Sequence, residues 1–362
     1  MFIKNYSGEI IMRNSSCIKI ICLVTTLAFS SLFAGAIKSQ GSAGAAQLLI
    51  PVGAQNLALG GANVSLVQGV NALYLNPAGT SASDGNGQAT VSDMTYLAGI
   101  GITYAGLVTN LDNLGSFGVS IKSLDFGDIP VTTATETEGT GAFYSPNFLT
   151  LTTNYSRRFS DNARFGVNMK FISEQIMSTK ANGFALDLGV QYGFEELPLS
   201  VGVSLKNLGG RMTYDGSDLE QNQTPSGSES GTITERFRIH AQSFELPALF
   251  DLGLTYQPIA GLELMGAFTN NSASTNTLNF AGKYSMKGVW VGGGMSTVSV
   301  IGDQGDYTDD QWSDMTGSLY GASFGAGVSV PLGELNLDIS YSIRTVNNYF
   351  ENNNILEMTV GF

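Results

Sequence analysis

The chain ends in Leu356-Glu357-Met358-Thr359-Val360-Gly361-Phe362, and this stretch decides the fold. Apolar side chains stand at every second position, so one face of the segment is apolar. Successive side chains of a β-strand point to opposite faces, and in the wall of a membrane β-barrel these faces meet lipid and lumen. We therefore interpret 354-362 as the last strand of a transmembrane β-barrel.

The composition of the whole chain agrees with a barrel. Of its 362 residues, 45 are glycine and only 13% are charged, and the mean hydropathy is slightly positive, at +0.09. Beyond residue 36 the sequence contains no apolar run near the roughly 20 residues that a membrane-spanning helix needs. A chain that is apolar on average but never for long suits a wall whose lipid-facing residues are scattered one in two.

Alternation and turn signals predict an all-β fold, an antiparallel barrel of about 14 strands over 88-362. In bacterial barrels short turns lie on the periplasmic side and long loops outside. The connections 127-146, 209-245, 300-317 and 346-353 are long, and all follow odd-numbered strands. The predicted strands are 88-98, 99-109, 115-126, 147-159, 163-177, 182-194, 198-208, 246-257, 261-270, 275-286, 288-299, 318-331, 334-345 and 354-362.

The first 36 residues have the features of an export signal. A basic start, an apolar run over 20-32 and small residues at Ala34-Gly35-Ala36 follow one another in the expected order. The polar stretch before Met12 fits poorly, which favours translation from Met12. We therefore predict a signal peptide at 1-36.

Charge and cysteine content exclude several classes of function. The chain carries a net charge of −13, and 1-36 holds three basic side chains and one acidic, so the remainder carries −15. An acidic surface argues against nucleic-acid binding, which needs cationic contacts to phosphates. Both cysteines, Cys17 and Cys22, lie in the predicted signal peptide, so we expect no disulfide, thiolate metal site or cysteine nucleophile in the mature chain.

The closing aromatic residue resembles the signal by which outer-membrane barrels are handed to their assembly machinery. We expect this signal to comprise Leu356, Met358, Val360 and Phe362. The resemblance implies the outer membrane of a Gram-negative-type bacterium, with membrane lipid and the barrel-assembly machinery as partners.

The stretch 37-87, between signal peptide and barrel, is rich in motifs. It contains the blocks Gly53-Ala54-Gln55-Asn56-Leu57-Ala58-Leu59-Gly60-Gly61-Ala62 and Asn71-Ala72-Leu73-Tyr74-Leu75-Asn76-Pro77-Ala78-Gly79. These blocks resemble the PorV/PorQ family, within the wider class of barrels related to the FadL long-chain fatty-acid transporters. Gln55 stands where that family often has arginine. The resemblance implies a fourteen-stranded barrel with an N-terminal hatch in its lumen.

The motif residues suit a hatch physically. Glycine permits positive φ and a close approach to the wall, and Pro77 keeps Asn76 extended. Asparagine side chains can satisfy backbone groups inside a polar lumen. Two interpretations stay open: these residues only shape the hatch, or the hatch moves to open a path. The hatch-motif residues are Gly60, Gly61, Asn71, Tyr74, Asn76, Pro77, Ala78 and Gly79.

The sequence pattern places other polar residues in the lumen or in loops. We expect Lys170, Asp187, Gln191, Glu263 and Asp338 to face the lumen, with Asp187 and Gln191 lining it or pairing with Lys170. Asp303, Asp306, Asp309 and Asp310 form an acidic loop, either solvated or a weak calcium site, since calcium prefers carboxylate oxygens. Gly292-Gly293-Gly294 is interpreted as room for the hatch or a strand bend. No catalytic constellation stands out, so an enzyme and a cofactor are not expected.

Two function classes follow from the resemblance. The first is a type IX secretion component that binds the translocon and shuttles cargo by its C-terminal domains. The alternative is a FadL-like transporter of hydrophobic small molecules, such as long-chain fatty acids, with a gap in the barrel wall as the exit. Polar loops such as 221-231 favour the first. Apolar residues cluster at the end of the longest loop: Phe244, Leu246, Leu249 and Phe250. We interpret them as the start of a lipid-facing strand. They could instead line the entry of a transporter, so the second class stays open. A barrel without transport activity is a third possibility.

Overall fold

A computed structural model describes residues 41, 43–82, 85–223, 235–299, 304–305, 307–347 and 350–362. The predicted signal peptide, with Met12 and both cysteines, lies outside the described residues. So do Asp303 and Asp306.

Fourteen long antiparallel strands form the wall within the described residues, and each pairs with its neighbours along the chain. The last strand pairs with the first, with Ala89 opposite Val360, so the sheet closes. The predicted fold class is confirmed. The strands are β1 Gly87–Thr95, β2 Gly101–Asn110, β3 Ser116–Asp125, β4 Asn147–Arg158, β5 Ala163–Ile176, β6 Thr179–Gly193, β7 Leu199–Gly209, β8 Leu249–Ile259, β9 Leu262–Asn271, β10 Asn276–Met286, β11 Val289–Ser299, β12 Tyr320–Leu332, β13 Leu335–Val346 and β14 Asn353–Gly361.

Each predicted strand corresponds to an observed one, and the long connections follow odd-numbered strands β3, β7, β11 and β13. The largest boundary differences have local causes. Strands 1 and 2 were predicted to meet at 98-99, but Ala98 and Gly99 both have positive φ, at 55° and 76°, and make the turn. Strand 8 was predicted from 246, whereas β8 begins at Leu249, after Pro247, which has no N–H to give to a sheet.

Side chains alternate along the wall as the sequence pattern predicts. In β6, Leu186 and Leu188 are exposed on the outer face, whereas Asp187 and Gln191 are buried on the inner face. An apolar outer face is stable against hydrocarbon, and the inner face must satisfy its polar groups within the protein.

The N-terminal segment lies in the lumen as a chain of short helical turns. Its residues Leu57, Leu59, Ala62 and Val64 are 0–1% exposed. We call the described part of this segment, 43–82, the hatch. Its elements are the 3₁₀ turn Ala46–Leu49, helix α1 Ala54–Ala58, the 3₁₀ turn Gly69–Asn71, helix α2 Ala72–Leu75 and the 3₁₀ turn Pro77–Ala82.

The loops carry further short elements. Helix α3, Asp309–Thr316, begins with a capping box at Thr308. None of the helices in the described residues is long and apolar enough to cross a membrane. The remaining elements are the strand pairs Ile129–Pro130 with Phe143–Tyr144 and Glu220–Gln223 with Glu235–Arg238, the strand Asp215–Gly216 beside β6, and the 3₁₀ turns Leu97–Gly99, Asp112–Leu114 and Ser217–Leu219.

Glycines on the inner face let the hatch backbone touch the wall. At each of eight glycines, an added Cβ would stand 2.8 Å or less from a hatch atom. At Gly202 it would lie 2.5 Å from Ser65 Cα, and at Gly166 2.2 Å from Pro77 O. Of the glycines at 292-294, Gly294 leaves room for the hatch, because a Cβ there would stand 2.7 Å from Leu59 C. We call this set the glycine belt: Gly106, Gly118, Gly166, Gly189, Gly202, Gly253, Gly294 and Gly325.

We expect Gly202→Ala to destabilise the barrel, because the new methyl group collides with hatch backbone that cannot rotate away. Overpacking of this kind typically costs about 1–3 kcal/mol. Gly282→Ala is the matched control, because its Cβ would face lipid with Leu264 Cδ2 at 3.8 Å as the nearest atom. Heat modifiability on gels of the purified barrels measures the difference. Equal unfolding temperatures would contradict the close packing of hatch and wall.

Candidate functional site

The hatch turns back on itself at Gly60 and Gly61. Both have positive φ, at 57° and 73°, and their N–H groups donate to Leu57 O and Asn56 O. A Cβ on Gly60 would lie 3.6 Å from Met295 N of the wall. The two glycines therefore end α1 in a left-handed turn that runs along β11.

Asn76 is fully buried and joins the hatch to two wall strands. Its Nδ2 donates to Val64 O of the hatch at 3.0 Å, to Val190 O of β6 at 3.1 Å and to Val203 O of β7 at 3.4 Å. Its Oδ1 accepts from Ala78 N at 3.2 Å. Pro77 O lies against the bare Cα of Gly166 and accepts from Thr80 Oγ1 at 3.0 Å. The next motif residue, Gly79, is packed against Val67 O, where a Cβ would stand at 2.0 Å.

Asn71 belongs to a second junction, at the last strand. Its Nδ2 donates to Glu357 Oε1 at 3.2 Å, and Ala54 N donates to Glu357 Oε2 at 3.1 Å. Glu357 is 3% exposed. The inward carboxylate of β14 thus caps the first turn of α1, where an anion is favoured.

Tyr74 lies at the centre of the lumen. Its hydroxyl donates to Leu49 O at 3.1 Å, and burial raises its pKa to about 12, so the phenol keeps its proton. Lys122 Nζ and Lys206 Nζ each lie 5.2 Å from its ring centroid. Cations at this distance are attracted by an aromatic face.

Lys170 and Asp187 form a buried ion pair. Lys170 Nζ lies 2.7 Å from Asp187 Oδ2, and Asp187 also accepts from Asn207 N at 2.8 Å and Asn168 Nδ2 at 2.9 Å. Asn168 in turn donates to Leu73 O of the hatch at 2.8 Å. The pair therefore fixes three strands and the hatch together.

The other three residues assigned to the lumen lie apart from this pair. Gln191 Nε2 donates to Val64 O at 3.2 Å and Val67 O at 3.0 Å. Glu263 pairs with Lys283 at 2.9 Å. Asp338 lines a cleft near the short-turn end of the barrel.

Several lumen residues were missed by sequence reasoning. Lys206 pairs with Asp251 at 2.8 Å, both nearly fully buried, and Lys122 donates to Gln47 O and Ile50 O of the hatch. Arg344 lies 3.6 Å from the Tyr320 ring centroid. Each of these side chains stands at an inward-facing position in the alternation of its strand, so the sequence could have placed it in the lumen. The alternation does not show which partner the side chain contacts.

The apolar cluster at the end of the longest loop faces inward in part. Leu246 is 6% exposed and packs with Leu48 of the hatch and Ile172 of β5, and Leu249 is 8% exposed. The interpretation as a lipid-facing strand start is therefore wrong for these two residues, because β8 begins only at Leu249 and presents that residue to the lumen.

Of the acidic-loop candidates, Asp309 and Asp310 lie in the first turn of α3. Asp303 and Asp306 are outside the described residues. Across the described part of the chain, His, Cys, Asp and Glu side chains form no group of three or more that could hold a metal ion.

The candidate assembly-signal residues Leu356, Met358 and Phe362 are 43–52% exposed on the outer face. Phe362 N donates to Gly87 O at 3.0 Å, so the final residue pairs with the start of β1. Recognition of this strand by an assembly machinery stays a prediction.

The hatch separates two groups of clefts. On the long-loop side, an upper cleft of about 170 Å³ lies between the hatch and β7–β13 and is lined by Leu57, Tyr74, Asp251, Ser296, Tyr320 and Arg344, among others. On the short-turn side, clefts of about 220 and 170 Å³ are lined by Glu357 and by Gln191, respectively. The fully buried hatch residues between them fill the lumen.

Three solved structures share this architecture over most of their length. A Pseudomonas aeruginosa FadL homologue matches with a TM-score of 0.54 and 14% identity, covering 86% of this chain and 98% of that one. The Pseudomonas putida toluene transporter TodX gives 0.54 and 12%, covering 86% and 97%. The CymD monoaromatic hydrocarbon channel gives 0.55 and 11%, also covering 86% and 97%. The fold is that of the FadL-type barrels.

At these identities the FadL-type likeness concerns the fold alone. No protein-family model and no curated relative matches the chain. Two of these neighbours are described as a toluene transporter and a monoaromatic hydrocarbon channel.

We expect Asp187→Asn to destabilise the barrel strongly, because it leaves Lys170 buried without its counter-charge. Removing one partner of a buried pair costs about 3–5 kcal/mol. Glu263→Gln is the control, since its pair with Lys283 is partly exposed, with side chains 16% and 14% accessible. The unfolding temperature of the purified protein measures both. A similar small change for the two variants would mean that the Lys170–Asp187 pair does not anchor the hatch.

Proposed function

We propose that this protein is an outer-membrane channel for small hydrophobic molecules that carry a polar or acidic head. The observation that carries the proposal is the upper cleft, which combines apolar hatch side chains with the guanidinium of Arg344. The structural neighbours support the channel class, since TodX is described as a toluene transporter and CymD as a monoaromatic hydrocarbon channel.

The size of the upper cleft favours a short ligand. A cavity of about 150 Å³ lined by apolar side chains accepts benzene, and the upper cleft measures about 170 Å³. One aromatic ring or a short chain fits this volume. A long acyl chain exceeds it, so the cleft favours small molecules over the long-chain fatty acids first considered.

Arg344 gives the cleft a recognition group. Its Nε and Nη2 atoms are buried and have no hydrogen-bond partner among the described residues. The face of the guanidinium is covered by Tyr320, so its edge remains for a ligand. A planar guanidinium fork matches a carboxylate, and leaving such donors unpaired is costly. A ligand with an acidic head would satisfy them.

The outer wall behind the cleft offers an exit toward lipid. Outward glycines Gly266, Gly282 and Gly293 form the floor of a lipid-facing groove of about 810 Å³, flanked by Phe280 and Phe324. The glycines leave a depression in the outer face, and the large apolar side chains around them form its sides. Because this groove faces hydrocarbon, an apolar ligand released into it is already in the membrane.

The upper cleft and the groove lie back to back on two strands. Ser296 and Ser323 line the cleft, whereas Met295 and Ala322, their neighbours in sequence, line the groove. Among the described residues, the β11–β12 ladder ends at the Met295–Ala322 pair. Separation of β11 from β12 beyond this pair would join cleft and membrane without moving the hatch.

The type IX role, with the translocon and cargo C-terminal domains as partners, remains a second prediction that rests on the hatch motifs. A pull-down from mild-detergent extracts of the outer membrane separates the two. Recovery of a translocon barrel or of surface proteins that share a C-terminal domain would favour secretion, whereas a co-purified small hydrophobic molecule would favour the channel.

We expect Arg344→Met to lower uptake of benzoate, an anionic ring, by roughly 10-fold or more, since a hydrogen bond to a charged group contributes about 1.5–3 kcal/mol. Uptake of toluene, which has no charge, should change little. Liposomes containing the purified protein allow both probes to be measured. Arg164→Met is the control, because Arg164 also has an unpartnered Nε, on the opposite side of the hatch. Uptake no faster than in protein-free liposomes would refute the channel.

A disulfide between hatch and wall tests the lateral route. Ser65 Oγ and Thr255 Oγ1 lie 2.6 Å apart, so cysteines at these positions are placed to bridge. We expect Ser65→Cys/Thr255→Cys to transport benzoate equally well oxidised and reduced. Thr90→Cys/Thr359→Cys is the control within the wall, where the hydroxyls are 2.8 Å apart. Transport that returns only on reduction of the hatch bridge would show that the hatch moves instead.

A further inference from the structure

A second, much smaller cavity lies on the other side of Tyr74, between the hatch and strands β2–β5. Its volume is about 20 Å³, and its polar lining includes Tyr104, Lys122, Thr150 and Lys170. A cavity needs roughly 10–15 Å³ to hold one water molecule. This cavity therefore has room for one water or one monatomic ion, and the ligand that fits it belongs to neither the cleft nor the lipid-facing groove.

Two lysines bring spare donors to this cavity. Lys122 Nζ donates to Gln47 O at 2.6 Å and Ile50 O at 3.1 Å. Lys170 Nζ contacts Asp187 Oδ2 at 2.7 Å and Asn207 Oδ1 at 2.8 Å. An ammonium group has three N–H donors, so each lysine keeps one that these contacts do not use.

Two hydroxyl groups in the same lining have unused donors. Thr150 Oγ1 is buried and makes no hydrogen bond to the described residues, and Tyr104 Oη, which interacts with the Ser120 side chain, donates to none of them. Their residues are only 3% and 4% exposed. Leaving a buried hydroxyl unpaired typically costs about 1–3 kcal/mol, so a ligand that accepts from both would stabilise the site.

The charges around the cavity indicate whether the ligand is a cation or an anion. Three buried lysines surround the centre of the lumen, Lys122, Lys170 and Lys206, and two aspartates pair with the last two. Among the described residues, the hydrogen-bond acceptors of Lys122 are both backbone carbonyl groups, and none of the residues that line the cavity is acidic. A buried charge needs a counter-charge, and one monovalent anion would supply it.

We propose that this cavity binds a small inorganic anion of the size of chloride, held by Lys122, Lys170, Thr150 and Tyr104. The anion accepts hydrogen bonds from all four groups and neutralises Lys122. Because Lys122 also holds two hatch carbonyl groups, the bound anion fastens the hatch to β2–β5. The contact between the hatch and β2–β5, on the side opposite the upper cleft, thus depends on a bound anion.

Bromide locates the site directly. Crystals of the full-length mature protein grown with bromide as the only halide should show an anomalous difference peak in this cavity, within hydrogen-bond distance of Lys122 Nζ and Thr150 Oγ1. A cavity that holds water, or nothing, at saturating bromide would overturn the proposal, since Lys122 would then be neutral or compensated from elsewhere.

The solution test uses the unfolding temperature of the purified barrel in sodium chloride and in sodium gluconate at equal ionic strength. A ligand that binds only the folded state raises stability with its concentration, so the temperature should rise by several degrees and saturate in chloride alone. Thr150→Val keeps the shape of the side chain and should abolish this dependence, as should Lys122→Met. Thr255→Val removes a hydroxyl that bonds Ser65 and does not face this cavity, so this variant should retain the dependence on chloride. The same temperature in both salts for the unsubstituted protein would contradict an anion site.

Discussion

The constraint on which this structure depends is that no backbone N–H or C=O can be left unpaired against hydrocarbon. The sheet meets it by closing on itself, with the final residues of β14 bonded to the start of β1. Once the wall is closed, one side chain in two must face inward. The amino-acid alternation that makes the outer face apolar therefore also creates a lumen full of polar groups, whose partners lipid cannot supply and the wall supplies only in part.

The hatch provides those partners. Its backbone is irregular, so its carbonyl groups are free to accept from wall side chains: Leu73 O from Asn168, Val64 O from Gln191, and Gln47 O from Lys122. Irregular backbone is tolerated at membrane depth where it is buried in protein. The glycine belt brings the two surfaces close enough for these bonds. Wall and hatch thus satisfy each other's polar groups, and the clefts lie where the two surfaces do not pack against each other.

The fold could be predicted from the sequence because a barrel strand has a strict period of two and loop lengths alternate between the two membrane sides. That logic also placed Lys170 and Asp187 inward. It did not pair Lys206 with Asp251, because the pairing depends on the register between β7 and β8. Glu357 lay within the stretch that decided the fold, yet its role needs the position of α1, which no periodicity contains. The upper cleft needs the packing of hatch against wall, so it became visible only in three dimensions.

The junction at Glu357 has a consequence for the order of biogenesis. Its carboxylate lies on β14, far along the chain from the hatch, yet it caps helix α1 of the hatch. A sheet that sealed without the hatch in place would leave Glu357 and Lys122 without the hydrogen-bond partners that the hatch supplies. Closure of the seam is therefore more favourable around a seated hatch, which satisfies these groups. The contacts of Glu357 in this way couple the seam of the barrel to the placement of the hatch.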